Sequence, residues 1–143
     1  MLSAYPPAPH PNSRFLIVVI DDSATVRKML ETCLGREGFT VRTFPDGIEA
    51  MRWLASPQGR PPNLIFLDIQ LPKMDGYAVS LKLKSKSEYQ RTVVVMLTRH
   101  DGLKDRLLAW VAGAQDYLTK PFQTQDILAI VKKHLKIPNQ DKH

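Results

Sequence analysis

Strand-length apolar runs alternate with amphipathic segments along most of this chain, and this alternation restricts the possible folds more than any other feature. Residues 15–20, 64–67 and 92–97 form almost continuous apolar runs, as expected for strands covered on both faces. Residues 39–44 alternate apolar and polar side chains, which predicts a half-exposed edge strand, and residues 115–119 are the fifth predicted strand. Because strands that alternate with helices form βαβ units, the sequence predicts an α/β fold with helices on both faces of a parallel sheet.

The segments between and after these runs have the apolar spacing of helices. Ser23 is a good N-cap for the first helix, and the fourth is expected to start at Asp101 or nearby. In the fourth helix we expect an inward stripe formed by Leu103, Leu107, Leu108 and Val111.

The length of 143 residues fits one domain, expected at residues 14–137. Residues 1–13 are rich in proline and predict a disordered or extended tail, and residues 138–143 form a short C-terminal tail. Cys33 is the only cysteine, so an internal disulfide is excluded and a reducing compartment is favoured. The apolar runs are far too short to cross a bilayer, and the N-terminus lacks the features of a secretory signal. We therefore expect a cytoplasmic protein with no membrane partner.

The net charge of +6 and the pI near 9.6 raise the question of nucleic-acid binding. Positive charge alone supplies affinity without sequence specificity. The sequence has no zinc-ligand spacing, no basic region followed by heptads and no room for a separate helix-turn-helix. A solvated basic surface, or a docking surface for an acidic protein, explains the charge better than nucleic-acid binding does.

Polar residues interrupt the pattern at the carboxyl ends of the predicted strands: Asp21 and Asp22 follow the first, Asp68 the third, Thr98 the fourth and Lys120 the fifth. In a parallel sheet these ends share one edge, where ligands bind in open α/β sheets. Three carboxylates repel one another, so a proton or a cation must offset them, and oxygen ligands are what Mg²⁺ prefers.

With a cation present, the carboxylate of Asp68 is usable as a nucleophile towards a phosphoryl group. Lys120 would neutralise a phosphoryl oxygen, and Thr98 would donate a hydrogen bond to another. Each residue alone has an ordinary structural explanation, such as a helix cap or a surface charge. Folding does not require acids at several strand ends, so together they indicate a phosphoryl-acceptor site.

The chain resembles the receiver domains of two-component signalling, the family of CheY. The resemblance covers residues 14–137 and depends on four blocks, V-V-I-D-D-S, I-F-L-D-I-Q-L-P-K-M-D-G, M-L-T and D-Y-L-T-K-P-F. It implies a doubly wound, flavodoxin-like five-stranded parallel sheet with five helices, in the strand order 2-1-3-4-5 that CheY has. It also implies that this region is a receiver domain.

The resemblance further implies that Asp68 accepts a phosphoryl group from a phosphohistidine of a sensor histidine kinase. It implies that Asp22, Asp68, the backbone carbonyl of Gln70 and, through water, Asp21 hold Mg²⁺, and that Lys120, before a cis peptide bond, contacts the phosphoryl group.

By the same resemblance Thr98 and Tyr117 are a switch pair, which couples phosphorylation to a protein-binding face formed by helix 4, strand 5 and helix 5. An exposed Trp110 beside Tyr117 would be an anchor for a downstream protein. Arg106, Trp110 and Tyr117 are expected on this face.

Some positions depart from the family pattern or leave alternatives open. Arg99 stands where the family commonly has a small residue, and Gln70 and His100 occupy positions that tune dephosphorylation in the family. The segment T-R-H-D-G-L-K-D also resembles single-domain regulators of twitching motility. The favoured interpretation is a stand-alone response regulator, whose only chemistry is self-catalysed phosphotransfer and dephosphorylation.

Two other functions remain open. The first is a receiver-like scaffold that works without phosphate, which Arg99 would favour. The second is an aspartyl-phosphate phosphatase of the haloacid dehalogenase type. That class has a second Asp two residues after its nucleophile, where this chain has Gln70.

Overall fold

A computed structural model describes residues 8–100 and 102–138 of the chain. Five strands alternate with five α-helices in the described residues. None of these helices is long and apolar enough to cross a membrane. The elements are β1 (Leu16–Ile20), α1 (Ala24–Arg36), β2 (Thr40–Phe44), α2 (Gly47–Ala55), β3 (Leu64–Asp68), α3 (Gly76–Lys84), β4 (Val93–Thr98), α4 (Leu103–Val111), β5 (Asp116–Thr119) and α5 (Thr124–Leu135).

The five strands form one parallel sheet in the order β2-β1-β3-β4-β5, which confirms the predicted fold class. The continuously apolar β1 and β3 lie inside the sheet and are buried along their whole length. β2, whose sequence alternates, lies at one edge and is partly exposed. For β1, β2 and β3 the hydrophobic pattern therefore predicts correctly whether the strand is buried or partly exposed.

The two faces of the sheet carry separate hydrophobic cores, because successive residues of a strand point to opposite faces. On one face Val18 of β1 packs in a cluster with residues of α2, α3 and α4. On the other face Val19 packs in a cluster with Leu30 of α1 and Ile127 of α5. Both faces are thus covered by helices, and the strand ends remain the open part of the sheet.

Side-chain caps fix where several helices begin, close to the carboxyl edge of the sheet. The Ser23 hydroxyl accepts a hydrogen bond from the Val26 amide at 3.2 Å, so Ser23 caps α1 as predicted. The Asp46 carboxylate accepts one from the Glu49 amide at 2.9 Å and caps α2 in the same way. Such caps satisfy amides that the first helical turn leaves unpaired.

The segment before β1 differs from the extended tail that the sequence predicts. Pro11–Arg14 form a turn of 3-10 helix. The Asn12 side-chain amide donates to the Glu37 carbonyl at 2.8 Å, and the Thr40 hydroxyl donates to the Ser13 carbonyl at 2.7 Å. Proline favours the first position of a helical turn, and these side-chain hydrogen bonds attach that turn to the domain. Residues 1–7 and 139–143 lie outside the described residues.

The predicted inward stripe of α4 is wrong. The residues of α4 and its end that face the sheet are alanines, Ala109 and Ala112, which are 5% and 2% exposed. Small side chains let a helix approach a sheet closely, and periodicity alone does not tell which of two faces turns inward. The predicted helix start, Asp101, lies outside the described residues. The four residues of the predicted stripe are all exposed: Leu103, Leu107, Leu108 and Val111.

Candidate functional site

Three carboxylates lie together at the carboxyl edge of the sheet. Asp21 and Asp22 directly follow β1, and Asp68 is the last residue of β3, its neighbour in the sheet. One carboxylate oxygen from each lies within 4.8 Å of the others. Asp21 is fully buried, Asp68 is nearly so, and Asp22 is exposed. The structure thus brings together the three acids that the sequence pattern placed at one edge.

Lys120 enters this cluster from the end of β5. Its Nζ lies 2.7 Å from Asp21 Oδ2 and 3.5 Å from Asp68 Oδ2, and its side chain is 10% exposed. The amide of Lys120 donates to the Thr98 carbonyl, and the peptide bond from Lys120 to Pro121 is cis. One ammonium offsets only part of the charge of three carboxylates. The site therefore retains an excess of negative charge when all three are ionised.

The pKa of Asp68 is raised from 3.8 to about 6. Burial is the largest cause, and the neighbouring Asp21 carboxylate raises the pKa further. The Lys120 ammonium opposes both effects, and so does the Gln70 amide, which donates to Asp68 Oδ1 at 3.1 Å. An added cation would strongly stabilise the ionised form of a carboxylate in such surroundings.

Backbone contacts position the two acidic strand ends. A Cβ on Gly76 would lie 2.4 Å from the Asp68 carbonyl oxygen, so only glycine allows the start of α3 to approach the end of β3 this closely. The Gly76 amide donates to the Ile69 carbonyl at 2.8 Å. Arg27, which the sequence interpretation missed, donates from Nη1 to the Asp21 carbonyl at 2.7 Å. The sequence does offer a signal for this contact, because Arg27 lies one turn into α1 after the Ser23 cap and so close to the end of β1.

Thr98 lies on the same edge but its hydroxyl is engaged by its own loop. The hydroxyl donates to the His100 carbonyl at 3.1 Å and accepts from the His100 amide at 2.9 Å. Leu97, the residue before it, pairs with Asp68 across β3 and β4. Arg99, the next residue, is exposed at the rim of the site. Gln70 and His100 are exposed as well.

The predicted partner-face residues lie next to one another on α4 and β5. The Arg106 guanidinium carbon stands 4.6 Å from the centroid of the Tyr117 ring, a cation–π geometry. Trp110 is 74% exposed, and Tyr117 is half-buried. Together they line a shallow groove of about 210 Å³ between α4 and β5. Trp110 is thus exposed, as the sequence interpretation expected, and its role as an anchor stays a prediction.

The sheet order, the acidic strand ends and the inserted lysine define a class of protein: CheY-like α/β regulators with an acidic edge. The chain belongs to the response regulator receiver domain family, whose model matches residues 17–132. Receiver domains are regulatory, bind Mg²⁺ at an acidic pocket, and interact with histidine kinases and downstream targets.

Several known proteins are similar to this chain. Protein PilG of Pseudomonas aeruginosa is 40% identical over 119 residues, which cover 83% of this chain and 86% of that protein. Chemotaxis response regulator CheY4 of Vibrio cholerae has a solved structure with a TM-score of 0.77 at 28% identity, covering 84% of this chain and 98% of that one. Probable transcriptional regulator ycf27 of Porphyridium aerugineum is 38% identical over 84% of this chain, which spans 48% of that relative. These similarities confirm the resemblance to receiver domains.

Proposed function

We propose that Asp68 accepts a phosphoryl group from a phosphohistidine of a sensor histidine kinase, and that its phosphorylation switches a protein-binding face. The observation that carries the proposal is the cluster of Asp21, Asp22 and Asp68 with the Lys120 ammonium inserted between two of them. A structural ion pair seldom has three carboxylates for one cation. A site that must bind a metal ion beside a phosphoryl group needs several carboxylates.

The donor set of this cluster fits Mg²⁺, because it consists of carboxylate oxygens with one exposed side that leaves room for water. Asp21, Asp22, Asp68 and the backbone carbonyl of Gln70 would hold the ion. When bound, Mg²⁺ supplies positive charge that lets an anionic phosphoryl group approach an anionic carboxylate.

In the phosphotransfer step an oxygen of the Asp68 carboxylate forms a bond to phosphorus as the bond from phosphorus to the donor imidazole nitrogen breaks. The electron pair of that bond stays on the imidazole, which takes up a proton. Lys120, already 3.5 Å from Asp68 Oδ2, stabilises a phosphoryl oxygen by its charge. Water reverses the modification later, so the chain is a regulator whose chemistry acts on itself alone.

Switching starts at Thr98. Its hydroxyl now bonds to the His100 backbone, and a phosphoryl oxygen on Asp68 would compete for that hydrogen bond. A shift of Thr98 towards the acidic edge changes the space open to Tyr117 on the neighbouring strand, and with it the Arg106 contact. The face formed by α4, β5 and α5, with Arg106, Trp110 and Tyr117, then binds a downstream protein.

We propose a stand-alone regulator, whose output is this protein contact. Protein PilG supports the proposal, since a match covering 86% of that relative leaves little length there for a second domain. The resemblance of T-R-H-D-G-L-K-D to single-domain regulators of twitching motility favours a role in motility.

The test is to incubate the protein with acetyl phosphate and Mg²⁺ and to follow the mass of the intact protein. We expect one added phosphoryl group, and we expect none in Asp68→Asn. Asp46→Asn is the matched control, because Asp46 is a nearly buried acid outside the site and Asn caps a helix as well as Asp does.

Equal labelling of the wild type and Asp68→Asn would contradict the assignment of the acceptor. If no variant is labelled, and a partner binds equally well with and without a phosphate mimic, the protein is instead the phosphate-independent scaffold.

A further inference from the structure

The amino edge of the sheet, where the strands begin, carries a row of three arginines at the end of the fold opposite the acidic site. Arg14, Arg60 and Arg91 stand shortly before β1, β3 and β4. These strands are neighbours in the sheet, so the segments that lead into them lie side by side. We name the three side chains the arginine row. All three residues are exposed, and none lies in an α-helix, where the negative end of the helix dipole would explain a cation.

Polar contacts between the entry segments hold the arginine row together. The Leu16 amide donates to the Asn63 side-chain oxygen at 2.8 Å, which joins the starts of β1 and β3. The Thr92 hydroxyl donates to the Pro62 carbonyl at 2.7 Å, which joins the starts of β3 and β4. Neighbouring strands lie about 4.8 Å apart, so the three starts span about 10 Å. The sheet thus sets the spacing of the backbone segments that carry the cations.

The arginine row is positioned but not neutralised. Arg14 Cζ lies 4.7 Å from the centroid of the Phe15 ring, and Arg60 Nη2 donates to the Arg14 carbonyl at 3.5 Å. Neither contact involves an acid. In the part of the chain that the structure describes, no carboxylate forms an ion pair with the row, although Glu88 precedes Arg91 by three residues. Neighbouring cations without a counter-charge attract an anion.

We propose that the arginine row binds an acidic segment of a partner protein, rich in Asp and Glu and extended across the starts of β1, β3 and β4. A guanidinium group can donate two parallel hydrogen bonds to one carboxylate, which a lysine cannot do. An extended segment rises about 3.3 Å per residue, so about four consecutive residues span the row. This surface lies at the other end of the strands from Asp68, and the inference does not rest on the phosphoryl-acceptor assignment.

Other anionic occupants fit the amino edge less well. A lipid surface takes up inserted apolar side chains. None of the exposed large apolar side chains of the described residues lies in the entry segments, residues 8–15, 56–63 and 85–92. Single-stranded nucleic acid stacks its bases on exposed aromatic rings, whereas Phe15 and Tyr89 of these segments are half-buried and buried. A second copy of the chain would offer its acidic edge, where two of the three clustered carboxylates are buried.

The probe for the test is a labelled peptide of about ten residues rich in Asp and Glu, long enough to cover the arginine row. A second peptide has Asn and Gln in place of every Asp and Glu. Binding to the unphosphorylated full chain is measured by fluorescence anisotropy. We expect the acidic peptide to bind at least about tenfold more tightly than the amide peptide, and its affinity to fall as salt rises.

Variants locate the binding site. Arg60→Glu should weaken binding of the acidic peptide by about tenfold or more, because it reverses the charge in the middle of the arginine row. Lys28→Glu is the matched control, since it changes the net charge equally at a side chain of α1 that is 77% exposed, and it should weaken binding by less than about twofold. Arg60→Lys keeps the charge and should cost about two- to threefold. Arg91→Glu repeats the test at a second position of the row.

Two results with the peptides would overturn the proposal: equal affinity for the acidic and amide peptides, or equal losses with Arg60→Glu and Lys28→Glu, which would show that net charge alone attracts the peptide. Tighter binding of phosphatidylglycerol vesicles or of a single-stranded oligonucleotide, abolished by Arg60→Glu, would overturn it and assign the row to that polyanion. Self-association in sedimentation that Arg60→Glu abolishes would assign the row to a second copy. None of these measurements involves Asp68, so failure here is distinguishable from failure of the proposed function.

Discussion

At the carboxyl edge of the sheet the chain buries charged side chains, whereas on the outer side of α4 it leaves large apolar side chains in water. Asp21 is fully buried and Asp68 nearly so, while Leu103 and Trp110 are about three-quarters exposed. Both arrangements oppose the rule by which residues sort between core and surface. A fold gains no stability from either, so we expect a ligand or a partner to supply the missing interaction in both regions.

The two regions differ in what holds them in place. Lys120, the Gln70 amide and the Ser23 amide all bond to the acidic carboxylates, so the edge is a connected polar network. Leu103, Leu107 and Val111 on the outer side of α4 are apolar and form no such bonds. The helix rests on the sheet through Ala109 and the following Ala112. Substitutions at the edge should therefore alter stability strongly, and substitutions on the outer side of α4 should hardly alter it.

Replacing Lys120 by methionine should have the largest effect. The change leaves the buried Asp21 carboxylate without its cation at 2.7 Å. We expect a loss of about 3 kcal/mol in the free energy of unfolding, measured by urea denaturation at pH 8 without Mg²⁺. Lys133→Met is the control, because its side chain is 68% exposed beside Asp116 and should cost less than about 0.5 kcal/mol. Equal losses would show that the edge is an ordinary surface cluster.

Replacing Asp68 by asparagine should stabilise the protein at alkaline pH. The folded-state pKa of Asp68 is about 6 against 3.8, so between these values the folded state holds a proton that the unfolded state has lost. Stability therefore rises as pH falls through 6 towards 3.8, and above 6 the ionised carboxylate destabilises the fold in full. We expect Asp68→Asn to be more stable by on the order of 2 kcal/mol at pH 8 without Mg²⁺, and equal to the wild type below about pH 4.

Asp46→Asn provides a control of opposite sign. The hydrogen bond from the Glu49 amide lowers the pKa of Asp46, so its charge stabilises the fold above its unfolded value of 3.8. That contribution is lost as pH falls through the lowered folded-state pKa. Asp46→Asn should thus gain no stability at pH 8, and a gain equal to that of Asp68→Asn would refute the burial argument.

Mg²⁺ should stabilise the fold by binding at the acidic edge, since the described residues on the outer side of α4 offer it no carboxylates in a cluster. At ten times its dissociation constant a ligand that binds only the folded state adds about 1.4 kcal/mol. We expect that gain in the wild type and most of it to be absent in Asp22→Asn, where an exposed ligand is removed with little change to packing. Thermal unfolding of the wild type and of Asp22→Asn, each in Mg²⁺ and in EDTA, measures the gain in each protein. The same gain in the two proteins would place the ion elsewhere.

The sequence predicts the edge well because chain connectivity determines it. Once β1 and β3 are recognised as parallel strands, Asp21 and Asp68 must end on one side, whatever the details of packing. The pKa of Asp68 and the Lys120 distances were beyond the sequence, since they depend on how deeply the side chains are buried.

The sequence predicts α4 badly because periodicity gives the existence of an apolar stripe and not its direction. Leu103, Leu107 and Val111 have the spacing of a core face, yet the smaller Ala109 packs against the sheet instead. The same limit applies at the N-terminus, where proline content predicts an extended segment and Pro11–Arg14 form a docked 3-10 turn. Both errors concern tertiary contacts that composition does not encode.

The smallest expected effect is that of Leu107→Ser on stability. A leucine to serine change in a core removes several kcal/mol, but Leu107 is 53% exposed and leaves no cavity. We expect the free energy of unfolding to change by less than about 0.5 kcal/mol in urea denaturation. Ala109→Leu, on the inward side of the same helix, should cost about 1–3 kcal/mol because the site has no room for a larger side chain. If Leu107→Ser proved the more damaging of the two, α4 would turn its leucines inward and its outer side would not be an apolar surface.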